Sequence, residues 1–218
     1  MNRLLAGILA CSALTSSVLA DTNESEMQQS PDSEVSQSKK SNNRGLYVGV
    51  EYFNGESSYD VSFSDPRIVS QSTDLDQDGF KVNFGAKLPS NIRIQGYFRN
   101  EKLEGSDNRI YGLGAEFLKV FEVNSKLMPF IKGGAGYDWT DLETEPGFYL
   151  DEDTIYAYSL KIGAGAMYKL TDTVELVGGL DLQYRKWQDI DVYYGYRFAT
   201  IEQDDTSKTL FAGVNFHF

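Results

Sequence analysis

One cysteine and one histidine are all the thiol and imidazole this chain carries. Cys11 falls in an N-terminal stretch expected to be removed. The mature protein then has no thiol, which excludes disulfides, thiolate nucleophiles and Cys-ligated metal. Ile8-Leu9-Ala10-Cys11 faintly resembles a lipoprotein cleavage box, but cutting there would leave too short an apolar segment. His217 is the penultimate residue. Ester hydrolysis by a Ser–His pair would have to be built on this one imidazole beside the C-terminus, so no catalysis is expected. Basic charge is also scarce: 20 Lys and Arg against 32 Asp and Glu give −12, which excludes nucleic acid as a partner. No apolar run after the leader approaches the ~18 residues of a helical span. A membrane protein built of strands is not excluded, because each strand shows only one apolar residue in two.

Met1-Asn2-Arg3, the apolar run Leu4 to Leu14 and the small residues Val18-Leu19-Ala20 read as a secretory signal peptide over residues 1–20. Removal of 20 residues from 218 leaves 198, and the loss of Arg3 moves the charge from −12 to −13. Residues 21–44 are polar and charged with almost nothing to bury, and are expected to be a disordered periplasmic lead-in.

From residue 45 to 218 alternation takes over. Phe80, Val82, Phe84, Ala86 and Leu88 interleave with Gly79, Lys81, Asn83, Gly85 and Lys87. The same period runs through 158–170 and 174–185, where no helical template fits. Strands are expected at 45–53, 78–88, 92–101, 109–121, 127–139, 154–170, 174–187 and 207–218, joined by alternating tight turns and long connections. That asymmetry suits an all-β, eight-stranded antiparallel up-and-down transmembrane barrel, with turns and both termini in the periplasm and loops outside. Residues 190–201 also alternate and read as a hairpin above the membrane. A ten-stranded barrel is the alternative, and would need a second hairpin inside 59–71.

The polar face separates a membrane barrel from a soluble one. It mixes charges of both signs with glycine, where a solvated exterior would avoid repeated Gly in strands. Glu51, Lys81, Arg93, Arg99, Glu116, Lys161, Glu175, Asp181 and Arg185 are therefore expected to form an interior charge network with Asn83, Gln95, Gln183 and Asn215. Such charges must pair across a narrow lumen. Aromatics cluster at strand ends. Tyr52, Phe53, Phe98, Tyr137, Trp139, Tyr156, Tyr158 and Trp187 are expected in one girdle, and Phe117, Phe121, Tyr168, Phe216 and Phe218 in the other.

Three stretches resemble the small bacterial outer membrane β-barrel family, which includes the outer membrane protein A transmembrane domain, the X-type and the opacity-type barrels. They are Leu127-Met128-Pro129-Phe130-Ile131-Lys132-Gly133-Gly134-Ala135-Gly136-Tyr137, Gly163-Ala164-Gly165-Ala166 before an Asp turn, and the C-terminal Gly213-x-x-Phe216-x-Phe218. The resemblance implies location in the cell outer membrane among lipid and lipopolysaccharide, with Gly213, Phe216 and Phe218 as the signal read by the barrel assembly machinery. It departs at Phe211, where the family signal usually has a polar residue. The expected function is non-catalytic: a monomer with a plugged, charge-paired interior that contributes to envelope structure or to surface contact through its loops. A small-solute channel is the alternative. The long connections are acidic (Glu56, Asp60, Asp65, Asp74, Asp76, Asp78; Asp141 to Asp153; Asp189, Asp191, Glu202, Asp204, Asp205). Without the spacing of a calcium loop they read as a solvated face, so no metal and no cofactor are expected. Tyr193-Tyr194-Gly195-Tyr196 is a candidate contact patch.

Overall fold

A computed structural model describes residues 45–64, 69–106, 108–141, 149–150, 154–194 and 197–218; the expected leader and residues 21–44 lie outside the described residues. The alternating stretches form ten strand segments: β1 (Leu46–Phe63), β2 (Gln71–Leu88), β3 (Ile92–Leu103), β4 (Arg109–Val120), β5 (Leu127–Asp141), β6 (Tyr149–Leu150), β7 (Thr154–Lys169), β8 (Val174–Trp187), β9 (Ile190–Tyr194) and β10 (Arg197–His217). Eight of them bond each to the next in the order β1-β2-β3-β4-β5-β7-β8-β10, and β10 pairs back with β1. The sheet closes on itself, so the ring has no free edge. β6 and β9 stay outside the ring, β9 pairing with the start of β10 and β6 with β9.

The barrel is eight-stranded, not ten-stranded. β1 and β2 pair without interruption from Leu46↔Ala86 to Val61↔Gln71, leaving no room for a second hairpin. Three staves overrun their expected bounds: much of 54–77 is β1–β2 hairpin, and 188–206 holds β9 and the first half of β10. The pleat continues there, with Ser57 and Tyr59 still buried inside, but the outward residues change to Glu56, Asp60, Asp74 and Asp76. Polar side chains on the outer face hid the strand signal. At the other end the connections are tight. Ser90 (φ 64°) and Asn91 (φ 57°) take left-handed backbone in the β2–β3 turn, a conformation that Asn tolerates better than most residues.

The register assembles the outward face row by row. Across β2, β3, β4 and β5 the rows read Asp78–Lys102–Arg109, then Phe80–Asn100–Tyr111–Trp139, Val82–Phe98–Leu113–Tyr137, Phe84–Gly96–Ala115–Ala135, Ala86–Ile94–Phe117–Gly133 and Leu88–Ile92–Lys119–Ile131. From the Phe80 row to the Leu88 row is eight residues of strand, about 27 Å before tilt. That is the height of an apolar band of about 25 Å, bounded by charge at both ends. On the far side Leu160, Ile162 and Leu210 are each more than 60% exposed. An apolar skin of this extent belongs in lipid. An aromatic series, Phe98–Tyr111–Trp139–Tyr137–Tyr156, runs along the upper boundary with centroids 6.0–6.3 Å apart. No helix among the described residues is long and apolar enough to cross a membrane.

Placing a charge in the middle of this skin should be costly. Leu180→Arg is expected to lose about 2–4 kcal/mol in urea titrations of the vesicle-inserted barrel. Lys208→Arg, at the polar boundary, should stay near wild type.

Candidate functional site: the barrel interior

Inward positions recur at every second residue, and the closed ring aims them all at one axis. Among the described residues six cations (Lys81, Arg93, Arg99, Lys132, Lys161, Arg185) and seven carboxylates (Glu51, Glu101, Glu116, Asp138, Glu175, Asp181, Asp205) are buried there. Near balance of sign is what a narrow lumen demands, since an uncompensated buried charge costs several kcal/mol.

The centre is a knot around Glu116. Lys81 Nζ lies 3.1 Å from its Oε2 and 3.0 Å from Glu51 Oε2, and Lys161 Nζ is 3.3 Å from its Oε1. Lys132 reaches both Glu116 (4.0 Å) and Asp181 (2.9 Å). Gln95 donates to Glu116 at 2.6 Å while accepting from Tyr47 Oη at 2.7 Å, and Asn83 donates to Glu51. Aromatic faces add further contact for the ammoniums: Lys132 stands 3.9 Å from the Phe211 centroid and Lys161 4.7 Å from Tyr97.

Toward the tight turns, Arg93 grips Glu175 with two parallel bonds of 2.6 and 3.0 Å, and Asn215 donates to the same carboxylate at 3.2 Å. His217 Nε2 is 3.7 Å from Glu175, and its ring lies 5.4 Å from that of Tyr47. At the 170–173 turn Lys169 donates to Asp172 at 2.7 Å, which holds that carboxyl below its usual range.

Toward the extended end, Arg99 bonds Asp138 (2.8 and 3.1 Å) and Gln183. Arg185 joins Glu101 and Asp205, both at 2.8 Å, and Trp187 Nε1 donates to Asp205 at 2.6 Å. Above these sits an apolar layer of Tyr59, Leu103, Ile110, Ile155, Trp187, Ile190 and Ile201. A second apolar cluster, Phe53, Leu118, Val120, Phe130, Met167, Val177 and Phe211, occupies one side lower down. The cavity in the middle, bordered by Lys81, Arg99, Lys161 and Asp181, measures about 10 Å³, enough for about one water.

Glycines make this filling sterically possible. A Cβ at Gly85 would strike the Tyr47 ring, Cβ atoms at Gly114 and Gly136 would strike Tyr97, and one at Gly134 would strike Glu116.

All nine residues expected in the network are buried in the lumen and paired there. Sequence reading passes over Glu101, Lys132 and Asp138, and Asp205, expected on a solvated loop face, is instead buried against Arg185 because the strand phase of β10 continues into that connection. Counting by two from a nominated residue reaches Glu101 from Arg99 and Asp205 from Asn215, but β5 holds no nominated residue from which to reach Lys132 or Asp138. Phe53 and Trp187 do not join the girdle. They face inward at 6% and 1% exposure, because their strand phase outweighs their residue type. Phe211 is likewise a lumen residue, so the departure from a polar residue in the C-terminal motif places a ring against Lys132. Gly213 faces Glu51 across the β1–β10 seam, while Phe216 and Phe218 are half-exposed on the outer skin. Of the acidic connection 140–153, residues 142–148 and 151–153 lie outside the described residues, as do Asp65, Gly195 and Tyr196. The described carboxylates, with His and Cys, form no cluster that could hold a metal.

Closure, an apolar outer skin and an ionic core together define a transmembrane β-barrel. No family model matches the chain, and no curated protein matches it in sequence. Among solved structures it is similar to the outer membrane protein OprG from Pseudomonas aeruginosa, with 12% identity over 81% of this chain and 97% of that one and a TM-score of 0.50. Neisserial surface protein A superposes at TM-score 0.47, with 18% identity over 80% of this chain and 97% of that one. The chain has the fold of the small bacterial outer membrane barrels.

The Glu116 knot makes a sharp prediction. Glu116→Ala takes away the carboxylate that Lys81, Lys132 and Lys161 share and leaves three buried ammoniums on Glu51 and Asp181 alone, and is expected to cost about 3–5 kcal/mol in denaturant titrations of the folded barrel. Adding Lys81→Met should recover part of that loss.

Proposed function

We propose that the protein is a closed, non-catalytic barrel of the outer membrane that contributes to envelope structure and presents its extended strands to the outside. The observation that carries this reading is the filled lumen: ion pairs through the middle, an apolar layer above them and a residual cavity of about 10 Å³. An eight-stranded ring is narrow enough for its own side chains to occupy. Solutes could pass only if several buried ion pairs opened together, each at a cost of kcal/mol.

In this reading the tight turns face the periplasm and the β1–β2 and β9–β10 extensions face outward, where lipopolysaccharide and other surfaces lie. Their outer faces carry Glu56, Asp60, Asp74, Asp76, Glu202 and Asp204, a sign that suits solvation beside an anionic surface. Gly213, Phe216 and Phe218 serve as the assembly signal. The lone imidazole of His217 packs at a tilt against Tyr47 at the turn end, away from the extensions, which supports a role in packing rather than catalysis.

Planar-bilayer recording tests the closed lumen. The wild-type barrel should show no sustained openings at moderate voltage, and Glu116→Ala with Lys81→Ala should raise the open fraction. Stable wild-type conductance would favour the small-solute channel instead.

A further inference from the structure

The apolar skin is not uniform. On β2–β5 it sinks into a groove of about 560 Å³ with Phe84, Ile94 and Phe117 as walls and Gly96, Ala115 and Gly133 on its floor. The groove lies in the third and fourth rows below the charged Asp78–Lys102–Arg109 boundary, at hydrocarbon depth. The next row brings Lys119, two residues along β4 from Phe117 and directly opposite Ile92. Its Nζ donates to the Ser90 carbonyl at 2.6 Å, so the ammonium is held at the β2–β3 turn. Three protons on Nζ leave two for another acceptor.

We propose that this groove binds one glycerophospholipid from the leaflet on the tight-turn side, with an acyl chain in the groove and its phosphate on Lys119. Depth decides the occupant of the groove. Wall and floor atoms facing an empty groove forgo their dispersion contacts, and hydrocarbon restores them. Height decides the headgroup. Lys119 is the outward cation at the boundary where lipid phosphates lie, one row below the groove, so a chain leaving a phosphate at Lys119 runs straight into it. Small outward residues recur at Ala166, Gly178 and Ala212, but the next row toward the turns there is Tyr168, Leu176 and Val214, with no cation to hold a phosphate.

The test is native mass spectrometry of the full folded chain in non-ionic detergent. It is supplied with dimyristoyl phosphatidylglycerol or with the phosphate-free dimyristoylglycerol. Ala115→Leu fills the floor, Lys119→Gln removes the charge, and heat-dependent gel mobility checks folding. Wild type should retain one phosphatidylglycerol per barrel. A115L should lose both lipids. K119Q should lower phosphatidylglycerol retention about three- to fivefold, the scale of an exposed ion pair, and leave dimyristoylglycerol unchanged. Wild-type retention of phosphatidylglycerol in either variant overturns the proposal. So does loss of a dimer, rather than of lipid, on A115L, since that would assign the groove to a second copy of the chain. If A115L does not fold, K119Q decides between the two lipids alone.

Discussion

Charge neutralisation across a lumen only one side chain deep is the constraint on which the rest of this structure depends. The outer face of each stave must be apolar to meet lipid, so alternation sends the charged side chains of the belt to the axis. Once there they cannot reach water. Glu116 shows the result: one carboxylate gathers ammoniums from β2, β5 and β7 and an amide from β3. No two of these groups are sequence neighbours, so the knot forms only when the ring has closed. The lumen charge pattern thus reports correct register as much as it supplies stability, since a slip of one residue would send Lys81 or Glu116 into lipid.

The interior is not ionic throughout. The polar middle lies below one apolar layer and beside another, and the boundary groups carry both characters. Trp187 packs in the upper layer while its Nε1–H meets Asp205, and Phe211 packs with Phe53 and Phe130 while its face meets Lys132. Amphipathic rings let the packing change from ionic to apolar without leaving a stranded carboxylate. This is why two aromatics expected at the lipid boundary are found inside.

Much of the fold was legible because period two is unambiguous wherever one face meets lipid. Strands 92–101, 109–121, 127–139, 154–170 and 174–187 came within two residues of their ends, and all nine nominated charges lie in the lumen. The reading failed where lipid ended. Beyond Asn54 and before Asp78 the outward residues turn polar, and the β1–β2 hairpin looked like a loop although Ser57 and Tyr59 keep their inward phase. Pairing was illegible for a different reason. Arg93 and Glu175 are 82 positions apart and meet only through the stagger of the closed sheet, a quantity that no single strand encodes.

The same stagger bears on the outer surface. Following the register from Lys119 through Ile131, Ala164, Leu180 and Leu210 ends at Asn54, beside Asp78. A row that begins at the tight-turn boundary on β4 therefore climbs to the opposite boundary on β1. Bulky residues dominate that row, but the two rows above Lys119 on β2–β5 hold Gly96, Ala115, Ala135 and Gly133. The glycines that the inside requires are their neighbours Gly114, Gly134 and Gly136, where a Cβ would strike Tyr97 or Glu116. Gly96, Ala115, Ala135 and Gly133 face outward and gain nothing from the lumen. Small residues at the lipid face give up hydrophobic contact that a leucine would supply, so their grouping beneath three large walls and above one lysine gives the barrel a side as well as an axis.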